Sequence, residues 1–284
     1  MDKQEQDRLK KEAAEKAAAA VKSGMILGVG TGSTVAFFID ALGKRKNEDG
    51  LKLKAVVTTS NRSKKQLEGL GFKVSELADI DQADLTVDGA DRVADNLDGI
   101  KGGGGALTLE KNVAINSKRI IWIVDESKLV HRLSGFPLPV EVLPISCEQN
   151  FKRFKQEGLK PQWRMDGDKR YITHYGNYII DLAADPVPAP HGLADYLDHT
   201  VGVVEHGLFL DMCDEVIIAH SDGTIEDKKI NEYIKNHFFY TSKNLSKRTW
   251  WKIWVKLKSK NLLLLAYWLP LGSCTAISVR VRCT

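Results

Sequence analysis

The chain is poor in several features that would have assigned it to a functional class directly. Its four cysteines, Cys147, Cys213, Cys274 and Cys283, form no CxxC pair and keep no regular spacing. Neither a disulfide framework nor a zinc ribbon is indicated, and a reduced, cytoplasmic compartment is expected. The apolar run Leu262 to Leu271 has ten residues, half of the ~20 needed to span a bilayer. Met1 to Lys22 is charged and alanine-rich with no apolar core, so it reads as a surface helix rather than a secretion signal. A Gly-x-Ser-x-Gly elbow is missing, which leaves covalent acyl chemistry without support. The histidines His131, His174, His191, His199, His206, His220 and His237 form no pair at helical ligand spacing, and none shares a motif with two carboxylates. No metal and no organic cofactor are therefore expected.

Acidic residues are absent after Glu232. From Tyr233 to Thr284 the chain has ten Lys or Arg and four of its six tryptophans, a net of +10, whereas residues 1–232 hold 31 Lys and Arg against 37 Asp and Glu. The body is thus acidic and lacks a basic stripe, which argues against a specific nucleic-acid partner. Trp250-Trp251-Lys252-Ile253-Trp254 and the lysines around it could form a nucleic-acid or membrane-surface tail. The abrupt change of composition favours another origin for 230–284: a non-native segment, such as the product of out-of-frame or readthrough translation. No membrane partner is expected for the body. Apolar and charged fractions of 43% and 27% are those of a globular protein with a buried core, and 284 residues suit one main domain plus a smaller one.

Glycine is what the chain has in informative places. Lys101-Gly102-Gly103-Gly104-Gly105-Ala106, followed by Glu110, sets an ammonium, four flexible residues and a carboxylate at the start of a helix expected from Ala106 to Lys118. Glycines let a backbone approach a ligand without Cβ clashes, and the helix start offers free N–H groups and the positive dipole end. A second loop, Gly28-Val29-Gly30-Thr31-Gly32-Ser33-Thr34, follows Met25 to Leu27 and precedes the helical pattern Val35, Phe38, Ile39, Leu42. It can hold phosphate through N–H groups and hydroxyls. A dinucleotide fingerprint fits it less well. Ser33 stands in place of the third glycine, and the next strand runs into Thr58-Thr59-Ser60 rather than an acid.

Two acidic clusters each follow a strand-like run: Asp88-Gly89-Ala90-Asp91 after Asp84 to Val87, and Asp125-Glu126-Ser127-Lys128 after Ile120 to Val124. In an open parallel sheet all strands end on one edge, where ligands bind. Strands are expected at Met25 to Val29, Ala55 to Thr58, Phe72 to Ser75, Leu85 to Val87 and Ile120 to Val124, alternating with helices as in a doubly wound α/β domain. Beyond Pro137 and Pro139 the pattern becomes βαββα: Val140 to Leu143, a helix over Glu148 to Glu157, strands Tyr171 to Tyr175 and Tyr178 to Asp181 around Gly176-Asn177, and a helix over Gly192 to His199. Asp214 to Ala219 is expected to return to the first sheet as its last strand. The expected organisation is a Rossmann-like catalytic domain of 1–136 and 206–229, an inserted smaller α+β domain of 137–205, and the atypical tail 230–284.

The four motifs at 28–34, 88–91, 101–106 with Glu110, and 125–128 leading into Phe136-Pro137-Leu138-Pro139-Val140-Glu141-Val142 resemble, in that order, ribose-5-phosphate isomerase of the A type, over roughly Leu9 to Lys228. The resemblance implies an aldose-ketose isomerase of the non-oxidative pentose phosphate pathway, interconverting ribose 5-phosphate and ribulose 5-phosphate through an enediolate, as a homodimer or homotetramer. It implies substrate contacts from Thr31, Gly32, Ser33, Thr34, Asp88, Gly89, Ala90, Asp91, Lys101, Gly102, Gly103, Gly104 and Lys128, with Lys10 helping to hold the phosphate. Glu110 would be the proton-transferring base and Lys101 would stabilise charge on the substrate oxygens. Asp88 would exchange hydroxyl protons and Asp91 would orient Lys101 or the substrate. Arg92 departs from the acid or polar residue that commonly follows the Asp-Gly-Ala-Asp motif. Two alternatives remain open: a non-catalytic sugar-phosphate sensor, or an enzyme of related fold such as an amino-sugar phosphate deaminase or a CoA transferase.

Overall fold

The computed structural model describes residues 2–229 and the backbone of 264–268 and 277–281. Helix α1 (Lys3–Ala19) starts at Asp2, whose carboxylate accepts the Glu5 N–H at 2.8 Å, an N-cap that also suits the helix dipole. Leu9, Ala13, Ala14 and Ala17 recur at helical spacing and are buried, forming the stripe expected of a helix lying on a core. Strand β1 (Ile26–Val29) leads into α2 (Ser33–Glu48), which buries Val35, Phe38, Ile39 and Leu42 in the same cluster. Arg45 of α2 donates to the carbonyls of Ala18, in the last turn of α1, and Val21, just beyond it, at 2.5 and 2.7 Å, which ties α2 to the end of α1.

The chain continues through β2 (Ala55–Thr58), α3 (Asn61–Gly69), β3 (Leu85–Asp88), the two-residue strands β4 (Arg92–Val93) and β5 (Gly99–Ile100), α4 (Leu107–Ile115) and β6 (Ile120–Asp125). Then come β7 (Leu138–Val142), α5 (Cys147–Gln156), β8 (Pro161–Trp163), β9 (Met165–Asp166), β10 (Lys169–Arg170), β11 (Tyr178–Leu182) and α6 (Pro190–Asp198). The last are β12 (Val203–His206), β13 (Leu208–Phe209), β14 (Glu215–Ala219) and β15 (Ile225–Lys229).

The principal sheet has the order β15-β14-β6-β3-β1-β2. All neighbours are parallel except the β14–β15 pair. Both faces of its central strands are covered, which explains why β1, β6 and β14 are largely apolar and buried, whereas β15 at the edge is exposed and charged. Ile121, Ile123, Ile217 and Ala219 join the cluster with α1 and α2, while Trp122, Val124, Val216 and Ile218 face the other way with Val93, Ala114 and Phe209. The alternation is the two-residue period of a strand. Strand order reverses at β1, which lies between β2 and β3, so a crevice opens beyond the C-terminal ends of β1 and β3.

A second, antiparallel sheet, β12-β7-β11-β8, encloses its own core of Val140, Val142, Phe154, Ile180 and Leu197. Strands β13, β5 and β4 form a small third sheet. Three expectations fail. Phe72 to Ser75 contributes only an isolated bridge from Val74 to Val56, and Tyr171 to Tyr175 likewise gives a single bridge, Ile172 to Tyr178. In both segments the chain meets its neighbour, β2 or the start of β11, at one position only. The principal sheet also does not end at Ala219, because Thr224 and the preceding turn fold β15 back along β14.

The chain divides into two compact units, Met1–Asn231 and Glu232–Thr284. In the second, β16 (Leu264–Trp268) and β17 (Ile277–Val281) pair antiparallel. The segment Trp250 to Trp254, His237, Cys274 and Cys283 lie outside the described residues. Among the described residues no helix is long and apolar enough to cross a membrane.

Candidate active site

The reversal point of the sheet is where the sequence motifs converge. Beyond β1 the Gly30 N–H continues the ladder to the Val87 carbonyl at 2.9 Å, which brings the backbone against Asp88. A Cβ on Gly30 would overlap the Asp88 carboxylate, so only glycine is accommodated there. Asp88 Oδ1 accepts the N–H groups of Thr31 at 3.0 Å and Gly89 at 2.7 Å. Its other oxygen, Oδ2, is left facing Lys101 Nζ at 2.9 Å.

Lys101 follows β5, its N–H held by the Gly207 carbonyl at 2.9 Å. The ammonium also donates to the Gly89 carbonyl at 2.5 Å and lies 5.3 Å from the ring centroid of Phe209, a favourable cation–π placement. Glu110 projects from the first turn of α4 and places Oε2 3.7 Å from Lys101 Nζ. That distance is too long for a hydrogen bond, and Oε2 is buried with no hydrogen-bond partner among the described residues. Asp88, Lys101 and Glu110 are each 3–5% exposed.

Two carboxylates thus share one cation. Burial drives the Glu110 carboxyl up to about 8, outweighing the attraction of Lys101, and the negative charge of Asp88 acts in the same direction. Burial pulls on Lys101 in the opposite sense, but Asp88 and Glu110 overcome it and hold the ammonium above its ordinary range. A base held near neutrality beside a fixed positive charge can take a proton from carbon next to a carbonyl while the ammonium stabilises the resulting oxyanion.

The glycine loop leads from Lys101 into α4. Gly102 and Gly105 have φ of +98° and +77°, and a side chain on Gly103 would collide with Asp91 and Phe136. Asp91 accepts the Gly103 N–H at 2.8 Å; its hydrogen bond goes to the loop and not to Lys101. A Cβ on Gly104 would come 3.8 Å from the Thr31 methyl, so the two glycine-bearing loops face each other. Gly32, which precedes α2, carries no side-chain cap, and the N–H groups of Ser33 and Thr34 have no intrahelical acceptor. With Gly32 and Ser33 exposed, the start of α2 is open to an anion.

Lys10 and Lys128 are not tied to this cluster. Lys10 lies 3.9 Å from Asp7 on α1. Lys128 ends the short turn Glu126–Lys128 after β6, on the sheet edge where β1 and β3 also end. Several supporting residues carried no motif. Thr59 shares a hydrogen bond with the Thr31 hydroxyl at 2.6 Å, and Ser63 donates to the Gly30 carbonyl at 2.8 Å; the Thr58-Thr59-Ser60 run was the available signal. Phe209 and Arg164 carried none. An open depression of about 500 Å³ between Ile26, Lys54, Lys73, Glu76 and Asp81 lies at the opposite edge of the sheet and contains none of these groups.

Tertiary structure also assembles two groups of possible metal ligands that spacing did not suggest: Asp98 with His191 and Asp211, and Asp198 with Glu205 and His206. In the second, Glu205 is already paired with a cation, since Lys111 Nζ lies 2.5 Å from its carboxylate and 2.7 Å from the His206 carbonyl.

Residues 55–223 match the family model of ribose 5-phosphate isomerase A, also called phosphoriboisomerase A. The chain belongs to the ribose 5-phosphate isomerase A family. It is 94% identical over 228 residues to ribose-5-phosphate isomerase A of Lactobacillus helveticus, a match covering 80% of this chain and 99% of that one. Among solved structures of the family, ribose 5-phosphate isomerase A from Neisseria gonorrhoeae superposes with a TM-score of 0.74 at 38% identity, covering 80% of this chain and 98% of the other. A D-ribose-5-phosphate isomerase in complex with phospho-erythronic acid gives 0.75 at 34%, covering 78% and 98%. These ribose-5-phosphate isomerases are nearly spent by the match, whereas about a fifth of this chain lies outside it.

Proposed function

We propose that this chain interconverts ribose 5-phosphate and ribulose 5-phosphate by moving a proton between C2 and C1 of the open-chain sugar. The observation that carries the reading is the buried Glu110 Oε2, without a hydrogen-bond partner among the described residues and 3.7 Å from Lys101. Glu110 removes the proton from C2 of the aldose and returns it to C1, one carboxylate serving both carbons of a cis-enediolate. The Lys101 ammonium, with glycine-loop N–H groups, meets the negative charge that grows on the substrate oxygens; because that charge is largest in the transition state, the interaction lowers the barrier. Asp88, anchored at one oxygen by two N–H groups, exchanges protons with the substrate hydroxyls and assists ring opening. Asp91 acts through the glycine loop it holds.

The start of α2, from Thr31 to Thr34, takes the phosphate, with Lys128 and Lys10 adding charge, and so places the reacting carbons over Glu110. The phosphorylated sugar acid held by one relative has the two anionic ends that this arrangement calls for. We assign the catalytic domain to 1–136 with 206–229 and the inserted domain to 137–205, and expect a cytoplasmic homodimer or homotetramer. Incubation of ribose 5-phosphate with the purified chain in EDTA should yield ribulose 5-phosphate. No product under those conditions would end the proposal.

A further inference from the structure

We infer that Arg164, carried by the second sheet, is a positioning residue that sets the peptide planes of the 102–105 glycine loop and thereby aims the Gly104 N–H at the substrate. This inference rests on the isomerase reading and adds a residue that no motif contains.

Arg164 follows β8, and its backbone is fixed on both sides: its N–H donates to the Ile179 carbonyl at 3.0 Å and its carbonyl accepts from Tyr171 at 2.9 Å. The guanidinium forks onto Asp181 of β11 at 2.9 and 2.5 Å. Both side chains are largely buried, at 13% and 16% exposure. A paired, bidentate guanidinium is rigid. Its remaining donor, Nη1, points away from Asp181 and reaches the carbonyls of Gly102 and Gly103 at 2.7 and 3.1 Å.

Holding those two oxygens determines where the opposite ends of the same peptide units point. The only cis bond among the described residues is Asp185–Pro186, so the units 102–103 and 103–104 are trans, with C=O and N–H directed oppositely. The Gly103 N–H accordingly points away from Arg164 and is taken by Asp91 at 2.8 Å. The Gly104 N–H is directed away by the same geometry and has no hydrogen-bond partner among the described residues. A Cβ on the same residue would come 3.8 Å from the Thr31 methyl, so Gly104 borders the 28–34 loop.

A run of four glycines has little conformational preference of its own. An oxyanion donor is effective only when it is held in place before charge develops. Asp91 and Arg164 grip the loop from opposite sides, one by an N–H and the other by two carbonyls. A cation on the carbonyl side also polarises each peptide, which strengthens the N–H as a donor.

The test compares turnover of ribose 5-phosphate by wild type, Arg164→Ala and Arg164→Lys. For Arg164→Ala we expect kcat to fall by about 10- to 100-fold, the scale for misplacing a reacting group by about an ångström. KM, and inhibition by inorganic phosphate, should change by less than about threefold, since the phosphate is bound through the start of α2. Added methylguanidinium should restore part of the lost kcat. Arg164→Lys retains the charge but cannot serve Asp181 and two carbonyls together; it should lose kcat several-fold and gain nothing from methylguanidinium. Should Arg164→Ala fail to fold, the folded Arg164→Lys protein decides by its kcat alone. Wild-type kcat in either variant overturns the inference, as does a loss in Arg164→Ala that appears equally in KM and phosphate inhibition and resists rescue. A wild type that does not isomerise ribose 5-phosphate would refute the functional reading itself.

Discussion

The Lys101 ammonium lies 2.9 Å from the Asp88 carboxylate, with both side chains almost wholly removed from water. Asp88 is held in turn by the N–H groups of Thr31 and Gly89, so the backbone of the 28–34 loop and the Lys101 ammonium are linked through one carboxylate. Charge-assisted hydrogen bonds of this kind are short and strong. Glu110 stands farther from the same cation, with Oε2 at 3.7 Å, which suits the role of base proposed for it.

Glu110→Gln keeps the shape of the side chain and removes the proposed base. Its kcat should fall by about 10² to 10⁴ with KM little changed, the range for loss of a positioned general base. Near-normal turnover would refute the assignment. In D₂O the wild-type enzyme should place deuterium at the carbon that receives the proton, read by NMR of the product.

The pH profile should show the same group. Since burial raises Glu110 to about 8 and the base acts ionised, kcat/KM should climb with pH along a limb far above the usual carboxylate range. Stability runs the other way. A carboxyl whose folded value exceeds its unfolded one stabilises fully below the unfolded value, ordinarily 4.5 here, and loses that contribution as pH rises through about 8. Glu110→Gln does not ionise, so its Tm relative to wild type should improve between pH 5 and pH 8.5. A pH-independent difference would show that Glu110 does not carry the shift.

The two candidate lysines should separate kinetically. Lys101→Ala removes charge stabilisation at the reacting oxygens and should depress kcat by about 10² to 10³. Lys128→Ala, outside the buried cluster, should chiefly raise KM and weaken competitive inhibition by inorganic phosphate. Identical kinetic patterns in the two variants would overturn the division of labour.

A chain ending at Lys229 keeps β15 and every proposed site residue within the first compact unit. It should retain kcat/KM within a few-fold and resist aggregation better, because it sheds tryptophans, leucines and unbalanced positive charge. Loss of folding or activity on truncation would show that 230–284 is part of the working enzyme.

How much of this could be read in advance follows from how local each cause is. Glycines at 30 and 102–105 report a backbone that must come close to something or adopt positive φ, and apolar runs such as Ile120–Val124 report strands buried on both faces. Both are properties of neighbouring residues, so the loops, the parallel α/β order and the chemical character of the site were legible. The pairing of Asp88 with Lys101, the distance that leaves Glu110 Oε2 without a hydrogen bond among the described residues, and the carboxyl raised by burial depend on register between β3, β5 and α4 and on the exclusion of water, which no local pattern encodes. The same holds for Arg164, whose carbonyl partners lie some sixty positions away, and for β15, whose exposed, charged stretch Ile225–Lys229 becomes a strand only because β14 offers it an edge. The sequence by itself determined which groups were available and which backbones could approach; only the tertiary structure decided which charges would share a dry pocket, because desolvation and hydrogen-bond geometry belong to the packed chain.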